Sequence, residues 1–220
     1  MAQASSYELV YFGARGRGEA LRWILDVAEV AYKDTIVQME DWPQLKPTMP
    51  FGGLPVLKVT TEGETRVLGQ TLAVARFIAN RFGMSGANEW ERQRMEALAE
   101  AAAELWQGKG YDQIFLATVI EKDAQKRAEA IDNFVEKGFK PFAAQFEGFL
   151  NESGTGYFVG DRISWADLYI CEWLDRVGGM KEGVLADYPG LAEFHSKMMS
   201  LPALAARKEK RDAAGVADGL

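Results

Sequence analysis

Apolar residues fall into two rhythms along this chain, and the change from one to the other divides it. Tyr7-Glu8-Leu9-Val10-Tyr11-Phe12 is built from residues that favour strands and ends at Gly13. From Gly16 onward Leu21, Ile24, Leu25 and Ala28 recur at helical spacing, and Tyr32 to Val37 returns to an extended pattern, so the opening reads as a β-α-β unit. Residues 43 to 55 hold four of the seven prolines, Pro43, Pro47, Pro50 and Pro55, which remove backbone donors and predict an irregular loop. Two strand-like runs, Pro55-Val56-Leu57-Lys58-Val59 and Thr65-Arg66-Val67-Leu68, flank Thr61-Glu62-Gly63-Glu64, which has the composition of a hairpin turn. A helix from about Thr71 to Phe82 follows, with Gly83 as its stop.

Beyond Gly83 the strand rhythm disappears. Residues 89 to 118 and 123 to 150 read as two long helices, the second carrying Phe134, Phe142, Phe146 and Phe149 at core-like spacing, with Gly138 and Pro141 as points of bending. In Ile163-Ser164-Trp165-Ala166-Asp167-Leu168, Ser164 can cap a helix, Asp167 can return the bond, and Ile163 can staple to Leu168. Short helices are expected after Pro189-Gly190 and after Pro202, then a polar, frayed tail from about Lys208. The order β-α-β, proline-rich loop, β-β-α, then helices is that of a thioredoxin-like domain without redox cysteines joined to an all-α domain.

Charge and composition narrow the chemistry. The 220 residues are 48% hydrophobic, enough for one large or two modest cores. The net charge is -7, and residues 1–83 hold nine basic and nine acidic groups, so the whole excess lies in residues 84–220. No broad positive surface exists for nucleic acid or anionic lipid. No apolar run approaches the roughly 20 residues that span a bilayer, and Met1 to Ser6 lack signal-peptide character, so a cytoplasmic protein is expected. A single cysteine, Cys171, excludes an internal disulfide or a CxxC pair; it reads as an inert core thiol. His195 is the only histidine and reads as a surface residue, which disfavours histidine-dependent triads.

Five stretches then carry a resemblance: Tyr11-Phe12-x-x-Arg15-Gly16-Arg17-x-Glu19, Asp41-Trp42-Pro43-x-x-Lys46, Pro50-Phe51-Gly52-x-Leu54-Pro55, Gln70-Thr71-x-Ala73-x-Ala75-Arg76 and Ser164-Trp165-Ala166-Asp167. Together and in this order they resemble the cytosolic glutathione transferases, most closely the sigma class to which haematopoietic-type prostaglandin D synthases belong. The resemblance implies a glutathione-binding thioredoxin-like domain over residues 1–83. It also implies an all-helical domain over residues 84–220, with the electrophile pocket and the contacts of a homodimer.

Read alone, Tyr11 is a packed strand tyrosine; its place at a strand end, before a loop into a helix, puts it where α/β folds expose side chains to ligands. A neutral phenol can donate a hydrogen bond to sulfur, and a thiol of pKa about 8.5 needs such help to ionise near neutrality. Arg17 and the following helix start add positive charge, although Arg17 also reads as a surface partner of Glu19. The resemblance makes Tyr11 the catalytic tyrosine and Arg17 its support. It assigns Trp42 and Lys46 to the glycyl carboxylate of glutathione, and the backbone around Gly53, Leu54 and Pro55, with a cis Leu54–Pro55 bond, to the cysteinyl part. Gln70 and Thr71, otherwise an ordinary N-cap pair, take the γ-glutamyl carboxylate.

Glu96, Glu100 and Glu104 form a like-charged stripe on one helix face, at a cost of about 0.2–0.5 kcal/mol per pair unless something positive faces it. In the resembled class the acid matching Glu104 reaches the neighbouring subunit's glutathione. Ala103 stands where a metal-binding carboxylate would be needed, so no metal is expected. Phe12, Ala14, Tyr111 and Phe115 are candidates to line the electrophile pocket, or simply pack between domains. Three readings follow: conjugation of glutathione to small hydrophobic electrophiles, glutathione-dependent isomerisation of a prostaglandin endoperoxide, and a non-catalytic, crystallin-like binding protein.

Overall fold

The computed structural model describes residues 5–107 and 123–216. Four strands, β1 (Ser6–Phe12), β2 (Tyr32–Val37), β3 (Val56–Thr61) and β4 (Glu64–Gly69), form one sheet in the order β2-β1-β3-β4. β1 runs parallel to β2, with Tyr7 opposite Tyr32, and antiparallel to β3, with Leu9 opposite Leu57. Flanked on both edges, β1 buries Leu9, Val10 and Tyr11 in succession, as an interior strand covered on both faces does. Glu62 and Gly63, at φ 55° and 81°, close the β3–β4 hairpin with the two left-handed residues that its twist favours.

Helix α1 (Glu19–Val27) and α3 (Thr71–Arg81) pack with the sheet. The proline-rich segment is more regular than expected. It forms one helical turn, α2 (Trp42–Leu45), and two 3-10 turns, Lys46–Thr48 and Pro50–Gly52. Pro43, Pro47 and Pro50 each sit in the first positions of a turn, where a missing N–H leaves nothing unpaired.

The helical half begins with α4 (Glu89–Gln107); the expected continuation of this helix to residue 118 lies outside the described residues. The second long pattern resolves into α5 (Ala124–Phe134), a π turn over Val135–Phe139 that includes Gly138, and α6 (Lys140–Ser153). Helix α7 (Trp165–Met180) is the axis of this half, buried at every residue from Trp165 through Val177. It starts in a complete capping box, with Asp167 N–H on Ser164 Oγ and Ser164 N–H on the Asp167 carboxylate. Phe158 N–H, from the preceding loop, also donates to Asp167 at 2.8 Å.

Helices α8 (Pro189–Met199) and α9 (Pro202–Ala213) complete the described chain. The tail expected to fray from Lys208 is instead helical to Ala213, because Arg211 turns inward and pairs with Asp175 of α7 at 3.2 Å. Helix α1 packs against both α7 and α9, so one apolar core runs from the sheet into the helices.

Candidate functional site

Tyr11 is the penultimate residue of β1 and only 7% exposed. The turn from Gly16 to Gly18 wraps its ring. A Cβ on Gly16, which has φ +38°, would stand 2.1 Å from the Tyr11 hydroxyl oxygen, and one on Gly18 would stand 2.3 Å from a ring carbon. Arg17 N–H donates to Tyr11 Oη at 2.8 Å. A phenol oxygen that accepts this bond keeps its own proton to give. Burial raises the Tyr11 pKa, against the pull of the Arg17 N–H and of the Arg176, Arg22 and Arg17 charges, so the hydroxyl stays protonated through neutral pH.

Contacts from three directions fix that turn. Arg22 donates to Phe12 O at 3.0 Å and Ala14 O at 2.9 Å, Thr71 Oγ1 to Arg17 O at 3.3 Å, and Arg176 Nη2 to Gly16 O at 2.8 Å. Glu19 is buried and accepts from Trp23 and Arg22, so its carboxylate belongs to the core.

Beside the turn lies a cavity of about 300 Å³ whose walls include Arg17, Gln70, Thr71, Arg76, Glu100 and Tyr169. Gln70 has φ 73° and ψ 118°, a left-handed backbone that a non-glycine residue adopts at a cost of about 1–3 kcal/mol. Its side chain makes no capping bond, and α3 starts immediately after it with Thr71, whose hydroxyl donates to Arg17 O and which shares the cavity wall with Arg17. A helix start beside an arginine suits a carboxylate, and Glu100 on the opposite wall suits an ammonium. Arg76 and Tyr169 had no assigned role in the sequence reading. Tyr169 sits on a helix that is buried on every side from Trp165 through Val177, so no exposed stripe sets it apart, and Arg76 belongs to a motif that gives it no separate role.

A second group gathers around Trp42. Its ring meets Phe12 edge-on at 5.5 Å, and Trp42, Phe12 and Leu54 pack half-buried against Val10, Val37 and Val56. Leu54–Pro55 is cis, Gly53 is extended, and Lys46 is exposed one turn beyond Trp42. Ala14 faces a different cavity, of about 380 Å³, shared with Ile36, Arg207 and Lys210. Tyr111 and Phe115 lie outside the described residues.

Of the acidic stripe, Glu96 is held by both nitrogens of an Arg76 fork and Glu100 lies 3.9 Å from the same guanidinium, while Glu104 is exposed. The stripe is therefore compensated largely from α3 within the chain, which removes the charge argument for a partner subunit. His195 is not a surface residue: it is half-buried with Nε2 3.4 Å from Asp175. Cys171 is fully buried, and burial pushes its thiol well above its ordinary value. A groove of about 930 Å³ lies between the start of α4, the end of α6 and the loop before α7, and none of the candidate site residues lines it.

The chain matches family models described as Glutathione S-transferase, N-terminal domain, over residues 7–80, and Glutathione S-transferase, C-terminal domain, over residues 112–211. It is 30% identical to S-crystallin SL11 of Nototodarus sloanii, across 94% of this chain and 97% of that protein. It is equally 30% identical to hematopoietic prostaglandin D synthase of Rattus norvegicus, across 94% of this chain and 96% of that one. Among solved structures, the glutathione S-transferase from Ascaris lumbricoides superposes with a TM-score of 0.78 at 30% identity, covering 94% of this chain and 97% of the other.

Proposed function

The chain belongs to the glutathione S-transferase family, and from that premise we propose that Tyr11 holds the sulfur of bound glutathione as a thiolate for attack on small hydrophobic electrophiles. The observation that carries this reading is the hydroxyl of Tyr11, buried at a strand end and accepting Arg17 N–H, so that its single proton remains to be given. One charge-assisted hydrogen bond is worth about 1.5–3 kcal/mol, which lowers a thiol pKa by about one to two units. The sulfur lone pair forms the new bond to carbon, the leaving group departs with its own pair, and the thiol proton passes to solvent.

The tripeptide is laid out along the two groups described above. Gln70, Thr71 and the start of α3 take the γ-glutamyl carboxylate, with Arg17 close by. The Leu54 backbone pairs with the cysteinyl unit beside Gly53 and Pro55, and Trp42 and Lys46 take the glycyl carboxylate. Phe12, Ala14, Tyr111 and Phe115 remain the proposed electrophile wall. We place the chain in the sigma class and in the cytoplasm, with residues 1–83 and 84–220 as its domains. A homodimer in which Glu104 reaches the neighbouring glutathione completes the proposal.

The test is conjugation of a generic chloronitrobenzene. Tyr11→Phe should cut the rate about ten- to a hundredfold while the protein still binds a glutathione column. A full rate with glutathione bound would remove the phenol from the mechanism. The equal identity to a prostaglandin D synthase supports a second use of the same thiolate, isomerisation without net consumption of glutathione, and product analysis separates the two. The equal identity to an S-crystallin supports a non-catalytic protein; retention of Tyr11, Trp42, Lys46, Gln70 and Thr71 favours catalysis.

A further inference from the structure

Between the segment before α1 and helix α7 lies a largely buried charged cluster. Arg15 is fully buried, and Glu172, Arg176 and Arg211 nearly so. Arg15 reaches Glu172 at 3.1 Å and Asp175 at 2.9 Å, Arg176 reaches Glu172 at 2.6 Å, and Arg211 reaches Asp175 at 3.2 Å. His195 approaches Asp175 from α8, and the Arg176 guanidinium lies over the Trp173 ring, 5.6 Å from its centre. Removing one partner from such a cluster is costly, so a purely structural role is the plain explanation for each member.

Among the bonds described, one from Arg176 leaves the cluster. Its Nη2 donates to Gly16 O at 2.8 Å, and the N–H of the same peptide unit, that of Arg17, donates to Tyr11 Oη at 2.8 Å. A peptide unit is planar, with C=O and N–H pointing to opposite sides. The Gly16–Arg17 unit is therefore gripped at both ends, and rotating its plane breaks both bonds together. A cation on the carbonyl also polarises the unit and makes its N–H a stronger donor, which in turn draws electron density from the phenol and strengthens the O–H that remains.

We propose that Arg176 is a positioning residue for the reaction, clamping and polarising the Gly16–Arg17 peptide so that Tyr11 turns its proton toward the glutathione sulfur. This rests on the thiolate role of Tyr11 given above. The charged groups acting on Tyr11 are Arg17, Arg22 and Arg176; Arg176 pairs with Glu172, Glu172 with Arg15, and Arg15 with Asp175, which Arg211 and His195 also reach. Among the bonds described, the link from the cluster to this peptide is Arg176 on the Gly16 carbonyl oxygen.

The experiment is an ultraviolet titration of the thiolate in the glutathione-bound protein, together with the pH profile of kcat/KM. It compares wild type, Tyr11→Phe, Arg176→Met, Arg176→Lys and the double variant Tyr11→Phe/Arg176→Met. Arg176→Met should raise the ionisation midpoint by about one pH unit and lower kcat/KM about tenfold at neutral pH, with KM for glutathione near wild type. Arg176→Lys keeps the charge without the fork and should fall between the two. The double variant should be no worse than Tyr11→Phe alone, since the two act in series. An unmoved midpoint in Arg176→Met, or fully additive effects in the double variant, overturns the inference alone. An unmoved midpoint in Tyr11→Phe overturns the thiolate reading and this inference with it. Without any substitution, the Arg17 amide should exchange as slowly as the buried cluster does; exchange as fast as an open loop also overturns the clamp.

Discussion

Replacing Asp167 with alanine strands three hydrogen-bond donors at once. Its carboxylate accepts from Phe158 N–H and Ser164 N–H, each at 2.8 Å, and from Ser164 Oγ, in a place with no exposed surface. Each donor left buried and unpaired costs about 1–3 kcal/mol, and water entering the space left by the side chain returns part of that, so a loss of about 3–6 kcal/mol is expected. For a chain of this size each kcal/mol lowers Tm by about 2–4 °C, so the drop should be about 6 °C or more. Burial pushes the Asp167 carboxyl up to about 6 despite the Ser164 and Phe158 bonds, so denaturant unfolding is best followed at a pH well above that, where the group is charged. Ser164→Ala is the control: it removes the hydroxyl that receives Asp167 N–H and donates to its carboxylate, leaves the two backbone donors paired, and should cost about 1 kcal/mol. A loss below about 1 kcal/mol in Asp167→Ala, or a larger loss in Ser164→Ala, would refute the reasoning. Because α7 also carries Glu172, Asp175 and Arg176, conjugation should disappear over the same denaturant range as the helix signal.

Two further outcomes follow from the turn and the cluster. Gly16→Ala puts a Cβ 2.1 Å from the Tyr11 hydroxyl at a φ of +38°, so the phenol must move; kcat/KM should fall about tenfold or more in steady-state conjugation, with glutathione still retained on a column. Burial alone would raise Asp175, but the His195 hydrogen bond and the Arg15 and Arg211 charges reverse this and hold its carboxyl below the usual range. A lowered carboxylate adds stability that is complete above its unfolded value of about 3.9 and is lost as pH falls through the folded one. In acid unfolding curves the gap between wild type and Asp175→Asn should therefore be constant above about pH 5 and narrow below pH 4; a gap that widens on acidification would contradict this sign.

Features set by neighbours in sequence were legible, and those set by distant neighbours were not. Runs of strand-favouring residues locate β1, β2 and the hairpin, and Ser164 with Asp167 marks the start of α7, because residue preference and a capping box are local. The proline-rich segment was read as irregular because each proline was counted as a lost donor, whereas a first-turn position needs no donor. Lys208 to Arg211 reads as a wet tail from its charges, yet Arg211 answers to Asp175, a full helix away in the chain. The same blindness hid Arg76, whose acid lies on α4, and made the stripe from Glu96 to Glu104 look unanswered. The left-handed backbone of Gln70 leaves no mark in composition, since glutamine is an ordinary residue in ordinary turns.

The ion cluster also limits how the gene can be recombined. Arg15 comes from the segment before α1 and its acids come from α7, so an exchange of the carboxyl-terminal half with a cousin lacking both acids would bury a guanidinium without them. Heredity must hand on both sides of that lock together.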